Sequence, residues 1–535
     1  MLCDPGPRRS GRSGPPAGGP ANVERSEEDG AVVGVESTEQ VTGEGTNAGG
    51  DEIEAADAYN ANGGVATRED ARSTITRLIR RARAAMEVFI DYDQEQVDEV
   101  VQAIAWAIIK RENAEELARR AVEDTGLGNY EDKVNKNQRK SLGTLRDLLD
   151  PSARSVGVIE VDEEKGITKI AKPVGIVAAV TPSTNPAATP ANKTMMALKG
   201  RNAIIIAPSP KGASTCELLL RYVHEELDKV GAPLDLVQAL PKVDKELAYE
   251  LMRQADFVTV TGSANNVRAG QTSGTPNACV SAGNVVSVVD STAEIEEAAR
   301  KIRTSKTFDY GTSCSNDNSV VIEAPIYGEM VEALKREGGY LCNDEERARL
   351  QEAMWPGGGK RGGETLCKAP SVIAEVAGLE NPAAREASFF MVEGKGVGEE
   401  DPFSGEKLSV VLTVYEAADF DEALDLTRRI LNYVGRGHSC GLHTTSEANI
   451  ERIGLEMDVC RLLINQIQVF GNGGSFDNGL GFTLSMGGGS WAGNNIDENL
   501  SYRHFLNITR VSRVIPEVVP TEEELLGSYW SRYGR

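Results

Sequence analysis

Residues 174–209 read VGIVAAVTPSTNPAATPANKTMMALKGRNAIIIAPS, and the fold is decided there. The run VGIVAAV (174–180) is apolar without a break, as a strand covered on both faces must be. NAIIIAPS (202–209) repeats the pattern. The stretch that follows, STCELLLRYVHEEL, spaces its apolar residues three and four apart, which is helical. DFVTVTGS (256–263) leads in the same way into NNVRAGQTSG, and NVVSVVD (284–290) is a further strand. Strands alternating with helices build a parallel, doubly wound sheet of the nucleotide-binding type.

Working outward, residues 67–126 carry apolar side chains at helical spacing. They read as two or three amphipathic helices, opened by a Thr67/Asp70 pair resembling a capping box. SVGVIEVDEEKGITKIA (155–171) alternates on either side of a polar turn and reads as a β-hairpin. After residue 293 a second αβ pattern begins. It contains the helix EIEEAARKIRTSK, the strand NSVVIEA, the helix YGEMVEALKREGG, the strand LSVVLTVYEA, the helix DFDEALDLTRRILN and the strand CGLHTT. RHFLNITRVSRVIPEVV (503–519) reads as an extended tail with β alternation. Residues 1–67 are rich in Gly, Pro, Ser and charge and have no apolar periodicity. They read as a disordered tail without the apolar core of a secretory signal.

The chain has 535 residues, enough for more than one domain, and a formal charge of -24. That field argues against nucleic acid as a partner and requires any anionic substrate to find a locally basic or N–H-rich pocket. No apolar run reaches the length of a membrane span. The eight cysteines are scattered with no CxxC pair, so no zinc ribbon or other metal site is expected, and reduced thiols in the cytoplasm are the default.

The dinucleotide fingerprint GxGxxG is missing from every βα turn. TPSTNP (181–186) and TGSANNVRAG (261–270) stand there instead. Ser263 opens a helix, where it could face a phosphate or simply cap the helix. The strand at 202–207 ends in Ser209, Pro210 and Lys211 with no carboxylate to hold an adenosine ribose, which leaves NADP open beside NAD. Cys314 lies in GTSCSNDN (311–318), a small polar loop of the kind that exposes a side chain, whereas Cys216, Cys279 and Cys460 lie in apolar elements. The glycine-rich stretch 356–363 reads as a mobile loop over a site.

Three long stretches in order, TPSTNPAATPANKTMMALKGRNAIIIAPSPKG, SKTFDYGTSC and MGGGSWAGNNIDENL, resemble the CoA-acylating aldehyde dehydrogenases. That group includes the aldehyde half of bifunctional aldehyde-alcohol dehydrogenases. TSCSNDN and FGNGGSFDNG are most similar to its sulfoacetaldehyde-acylating members. The resemblance runs from about residue 75 to about residue 512. One departure is Gly487–Gly489, all glycine where the family has Gly-Cys-Gly.

The resemblance implies an α/β, aldehyde dehydrogenase-like fold. A Rossmann-type cofactor domain would take 68–150, 173–292 and 484–500, an α/β catalytic domain 293–483, and a β oligomerisation arm 151–172 and 501–520. Cys314 would be the nucleophile, adding to an aldehyde to give a thiohemiacetal and then a thioester. Asn185, with the backbone N–H of Cys314, would hold the oxyanion. The bland alternative has Asn185 capping a helix that Pro186 begins. His438, near its ordinary pKa, would take a proton from the CoA thiol or the thiohemiacetal, or else merely bond a loop backbone. Thr181, Pro182, Ser183, Gly262, Ser263 and Gly283 would line the NAD or NADP site, and Glu406 would hold the nicotinamide ribose.

Hydrolytic members place a glutamate where this chain has VSAGN (280–284). A thioester with no base beside it waits for a better nucleophile, and the thiol of coenzyme A is one. The implied partners are a small aldehyde, sulfoacetaldehyde or acetaldehyde, together with CoA, in a homodimer or homotetramer. For a sulfonate, backbone N–H groups of residues 471–479 are candidate donors. The competing readings are a hydrolytic aldehyde or semialdehyde dehydrogenase, and a nucleotide-binding scaffold without catalysis.

Overall fold

The computed structural model describes residues 68–280 and 282–535. The tail reading of residues 1–67, including Thr67 of the capping pair, lies outside them.

Four helices open the described chain: α1 (Arg68–Phe89), α2 (Gln94–Ile109), α3 (Arg111–Thr125) and α4 (Tyr130–Leu148). The first three bury apolar stripes, as their periodicity requires. The fourth does not. The buried face of α4 is Lys133, Lys136, Asn137, Lys140, Ser141, Gly143 and Thr144, closed by Leu148.

The hairpin is present as antiparallel β1 (Gly157–Asp162) and β2 (Ile167–Pro173). Next come β3 (Ile176–Val180), α5 (Ala188–Lys199), β4 (Ala203–Ala207), α6 (Ala213–Lys229), β5 (Val237–Ala239), α7 (Lys245–Gln254), β6 (Phe257–Thr261), α8 (Ala264–Gln271) and β7 (Asn277–Val280). These five strands form one parallel sheet in the order β5-β4-β3-β6-β7. β3 and β4 are buried at every position, which explains their unbroken apolar runs. Because β4 lies on one side of β3 and β6 on the other, the winding reverses between β3 and β6. In open α/β sheets ligands bind at such a reversal, outside the carboxyl ends of the strands.

The second sheet holds β8 (Val285–Val289), β9 (Asp317–Glu323), β10 (Gly339–Leu341), β11 (Phe389–Glu393), β12 (Val411–Ala417), β13 (Cys440–His443) and β14 (Leu462–Ile464). Its order is β10-β11-β12-β9-β8-β13-β14, and every pairing is parallel. β9 is buried along its whole length and sits at the centre, so the loop that enters it is held on a rigid support. The extended tail contributes β15 (Leu506–Ser512), which adds antiparallel to β2 and completes a three-stranded sheet. No described helix is long and apolar enough to cross a membrane.

Candidate active site

A cleft of about 740 Å³ runs from the carboxyl ends of β3, β4 and β6 to the loop before β9. One wall carries Thr181, Pro182, Ser183, Gly262 and Ser263, and another carries Ser313, Cys314 and Glu406. Asn185 lines the same cleft. Gly283 and His438 do not.

The loop that presents Cys314 is strained. Asp309 and Tyr310 have φ of 49° and 50°, and Gly311 follows at 79°. Two consecutive non-glycine residues in the left-handed region persist only where their surroundings over-determine them. Here the surroundings are α4. Lys136 Nζ donates to Asp309 Oδ2 at 2.6 Å and Lys133 Nζ at 3.1 Å, while the N–H of Asn129 donates to Oδ1 at 2.9 Å. Thr312 Oγ1 donates to the same carboxylate at 2.7 Å. Burial alone would raise the pKa of Asp309, but the two ammonium groups outweigh it and hold the carboxyl below its ordinary value. Gly311 cannot carry a side chain, since a Cβ there would meet the backbone of Ser409 at 2.8 Å.

Lys136 reaches one atom further and donates to Asn185 Oδ1 at 2.7 Å. That contact fixes the amide oxygen on the Lys136 side. The Nδ2 protons keep only a long 3.4 Å contact to Thr184 Oγ1. Helix α5 starts at Ala188 with no side-chain cap, so Asn185 is not its capping residue. Pro186 accordingly precedes the helix.

Cys314 is half-buried. Burial, then the nearby Glu406 carboxylate, push its thiol up to about 12; the Arg461 guanidinium and the Ser315 hydroxyl act the other way. The resting group is therefore a neutral thiol. The comparison with other cysteines holds for Cys216 and Cys279, which are buried, but Cys460 is half-buried because it lies in the bend before β14.

His438 departs from expectation. It is 3 % exposed, and burial, then the charge of Arg461, pull its pKa to about 3, not near the ordinary value. Its Nδ1 contacts Ser439 Oγ at 2.7 Å, and its Nε2 is buried with no hydrogen-bond partner among the described residues. Gly283 separates this ring from the nucleophile's loop. A Cβ on Gly283 would lie 2.5 Å from the Cys314 carbonyl oxygen and 3.0 Å from two ring carbons of His438. Gly283 thus packs between the nucleophile's loop and His438 and does not itself line the cleft. Among the described residues of that stretch Ala282 lines the cleft, and the sequence has no acid between residues 280 and 284.

The cleft fits a dinucleotide. Thr181 Oγ1 and Ser209 Oγ are buried without a hydrogen-bond partner among the described residues, as hydroxyls awaiting a polar ligand would be. Ser209 and Lys211 line the cleft at the end of β4. Ser263 caps α8, its Oγ accepting from the N–H of Asn266 at 3.4 Å, so the capping reading is realised. The glycine-rich stretch 356–363 contributes to the cleft, and Arg361 within it is buried, donating to the carbonyls of Met354 and Lys407 at 3.1 Å. Among the described residues no cluster of His, Cys, Asp and Glu could hold a metal ion.

Comparison with known proteins agrees with this geometry. Residues 46–341 match the model of the aldehyde dehydrogenase family. The chain belongs to the aldehyde dehydrogenase family. Among the relatives of this aldehyde dehydrogenase is the acylating sulfoacetaldehyde dehydrogenase of Cupriavidus necator, 50% identical over 87% of this chain and 94% of that one. The sulfoacetaldehyde dehydrogenase of an Acholeplasma species is 43% identical over 85% of this chain and 94% of its own. The crystal structure of an acetylating aldehyde dehydrogenase from Geobacillus thermoglucosidasius superposes with a TM-score of 0.80 at 34% identity, covering 85% of this chain and 99% of that one.

The sequence pointed to Cys314 and Asn185 but not to the residues that hold them. Lys133, Lys136 and Asp309 were missed. The available signal was lysine at 133, 136 and 140, a spacing of three and four that stacks cations on one helical face.

Proposed function

We propose that this aldehyde dehydrogenase oxidises a short anionic aldehyde, sulfoacetaldehyde in the first instance, to its acyl-CoA thioester with NAD or NADP. The observation that carries the reading is the pairing of Cys314 with an oriented Asn185 amide in a cleft whose 280–284 stretch has no acid. The names of the two relatives described above support the choice of aldehyde.

Cys314 Sγ loses its proton to solvent in the open cleft as it bonds to the aldehyde carbon, and the charge that develops on oxygen lies against Asn185 Nδ2–H and the Cys314 backbone N–H. One donor of this kind is worth roughly 100- to 1,000-fold in kcat. The bound nicotinamide supplies the hydride acceptor. Thr181, Pro182, Ser183, Gly262 and Ser263 form the wall against which the dinucleotide rests, and Glu406 takes the ribose. Ser209 and Lys211, in a stretch (207–212) whose sequence has no carboxylate, leave room for a cofactor bearing a 2′-phosphate. The thioester on Cys314 then persists, because neither Ala282 nor Gly283 can activate water, until the CoA thiol displaces it. His438, a neutral imidazole behind Gly283, has a vacant Nε2 for a proton, although its low pKa makes it a weak base.

The three-stranded sheet exposes Val158, Val161 and Val511, and the C-terminal helix Glu522–Tyr533 buries none of its residues. Apolar surface of this extent suits burial against further copies of the chain, as a dimer or tetramer. A cytoplasmic setting keeps its cysteines reduced.

The test is cofactor reduction by the purified protein with sulfoacetaldehyde, with and without CoA. Strict dependence on CoA is expected. Equal rates without CoA would mean that water attacks the thioester, and the acylating reading would fall.

A further inference from the structure

We propose that Arg139 selects the substrate by receiving the anionic group of the aldehyde. This rests on the reading that Cys314 attacks an anionic aldehyde. Asn185, Ser313 and Leu484 line the main cleft, and the same three residues also line a second, small cavity. An aldehyde held by its carbonyl at Cys314 and Asn185 therefore has this cavity across a shared wall. The space there open to the centre of a water molecule is about 20 Å³, and Phe308 and Phe470 meet edge to face beside it with centroids 4.9 Å apart. Only a compact group one or two atoms from the carbonyl suits it.

The cavity is cationic. α4 turns Lys136, Arg139 and Lys140 toward it. Two of the three have no hydrogen to spare. Lys136 spends its three on Asn185, Asp309 and Thr312, and Lys140 donates to the carbonyls of Phe470, Gly473 and Gly474 at 3.0–3.1 Å. Arg139 is different. One Nη donates to Ser475 Oγ at 2.9 Å, the guanidinium lies over the rings of Phe470 and Phe476 at 5.3 and 5.0 Å, and Nε is buried with no partner among the described residues.

No described carboxylate forms an ion pair with Arg139. Asp477 lies near enough to feel its charge but bonds to Ser475. Asp309, the buried carboxylate of this region, is already shared by two lysines. The surplus of positive charge registers on Lys140, whose pKa falls to about 7 through burial first and then through Arg139 and Lys136.

A buried guanidinium nitrogen without an acceptor is costly, and an oxyanion is the acceptor whose charge and geometry match it. A neutral aldehyde would leave both the orphan nitrogen and the excess charge in place. Sulfonate and carboxylate share the required chemistry. The stretch 471–479, whose N–H groups were the sequence candidates, lines neither cavity. In a chain of net charge -24, a basic island beside the nucleophile also keeps an anion from being repelled.

The experiment compares wild type, Arg139→Gln and Arg139→Lys in CoA-dependent cofactor reduction with sulfoacetaldehyde, succinate semialdehyde and propionaldehyde. For Arg139→Gln, kcat/KM on the preferred anionic aldehyde should fall roughly 100-fold, chiefly through KM, with propionaldehyde changed less than about threefold. Arg139→Lys should fall between, keeping the charge and losing the fork. Which acid-tailed aldehyde wild type favours separates the sulfonate from the carboxylate.

Equal losses on all three aldehydes would show a structural role and overturn the assignment. If wild type prefers an anionic aldehyde and Arg139→Gln keeps that preference, the assignment to Arg139 alone fails. If wild type prefers propionaldehyde, the anionic reading fails and takes the assignment with it. Should Arg139→Gln not fold, wild type decides: ethanesulfonate should slow alkylation of Cys314 in a saturable manner and propanol should not, and absence of protection overturns the proposal.

Discussion

Lys136 Nζ joins Asn185 Oδ1 to Asp309 Oδ2, at 2.7 Å and 2.6 Å. One ammonium group thereby orients the oxyanion donor and secures the strained turn that delivers the nucleophile. Asn185→Ala should lower kcat roughly 100- to 1,000-fold, and Lys136→Met should approach that loss because the amide is then free to rotate. The double variant should be little worse than the more severe single variant, since both remove one unit. Steady-state rates for the four proteins check this; losses that simply multiply would show that Lys136 does not act through Asn185. Asp309 would keep only Lys133 as its cation, so the melting temperature of Lys136→Met should drop as well.

The resting thiol of Cys314 is neutral, its pKa pushed up to about 12 by burial and Glu406. Alkylation by iodoacetamide follows the thiolate fraction. Its rate at Cys314 should rise steadily with pH and reach no plateau below pH 10 in the free enzyme. Mass spectrometry of the Cys314 peptide after timed exposure measures it. A plateau near pH 7 would show that the free enzyme already holds a thiolate.

Gly283 has an ordinary backbone, so only space forbids a side chain there. A Cβ would stand 2.5 Å from the Cys314 carbonyl oxygen, and backbone cannot give way as a flexible side chain can. Gly283→Ala should cut kcat at least roughly tenfold by displacing the nucleophile, an effect expected of a small misplacement. Ala282→Ser, next to it and exposed to the cleft, should stay within about twofold. Similar rates for both variants would mean that the loop before β9 tolerates movement.

What the sequence made legible follows from burial. β3, β4 and β8 are apolar or nearly so throughout, β6 alternates valine with threonine, and α6 and α8 follow β4 and β6 at once. β5 and β7 went unread because VQA and NACV are three and four residues long, too short to show a period. α4 escaped for a deeper reason. Its inward face is lysine, asparagine and serine, so the pattern that marks a core helix is inverted there. Cys314 and Asn185 were legible because they lie in long motifs. Arg139 was not, because its importance comes from an unmet hydrogen bond and from charges on other elements, which only the folded chain brings together.

Two buried histidines contribute to loss of stability in acid. His438 is pulled from 6.5 to about 3 and His443 to about 4, in both cases chiefly by burial. Each is neutral in the folded state and takes a proton near pH 6.5 once unfolded. Between those values the unfolded chain binds more protons, so stability is fully present above pH 6.5 and declines as pH falls toward 3. His443→Gln, which removes one such group from a strand of the second sheet, should flatten the decline of the urea midpoint between pH 6.5 and 4. The comparison is made against wild type at each pH, so that any general loss from the substitution cancels. Parallel curves for the two proteins would show that His443 titrates normally in the folded state.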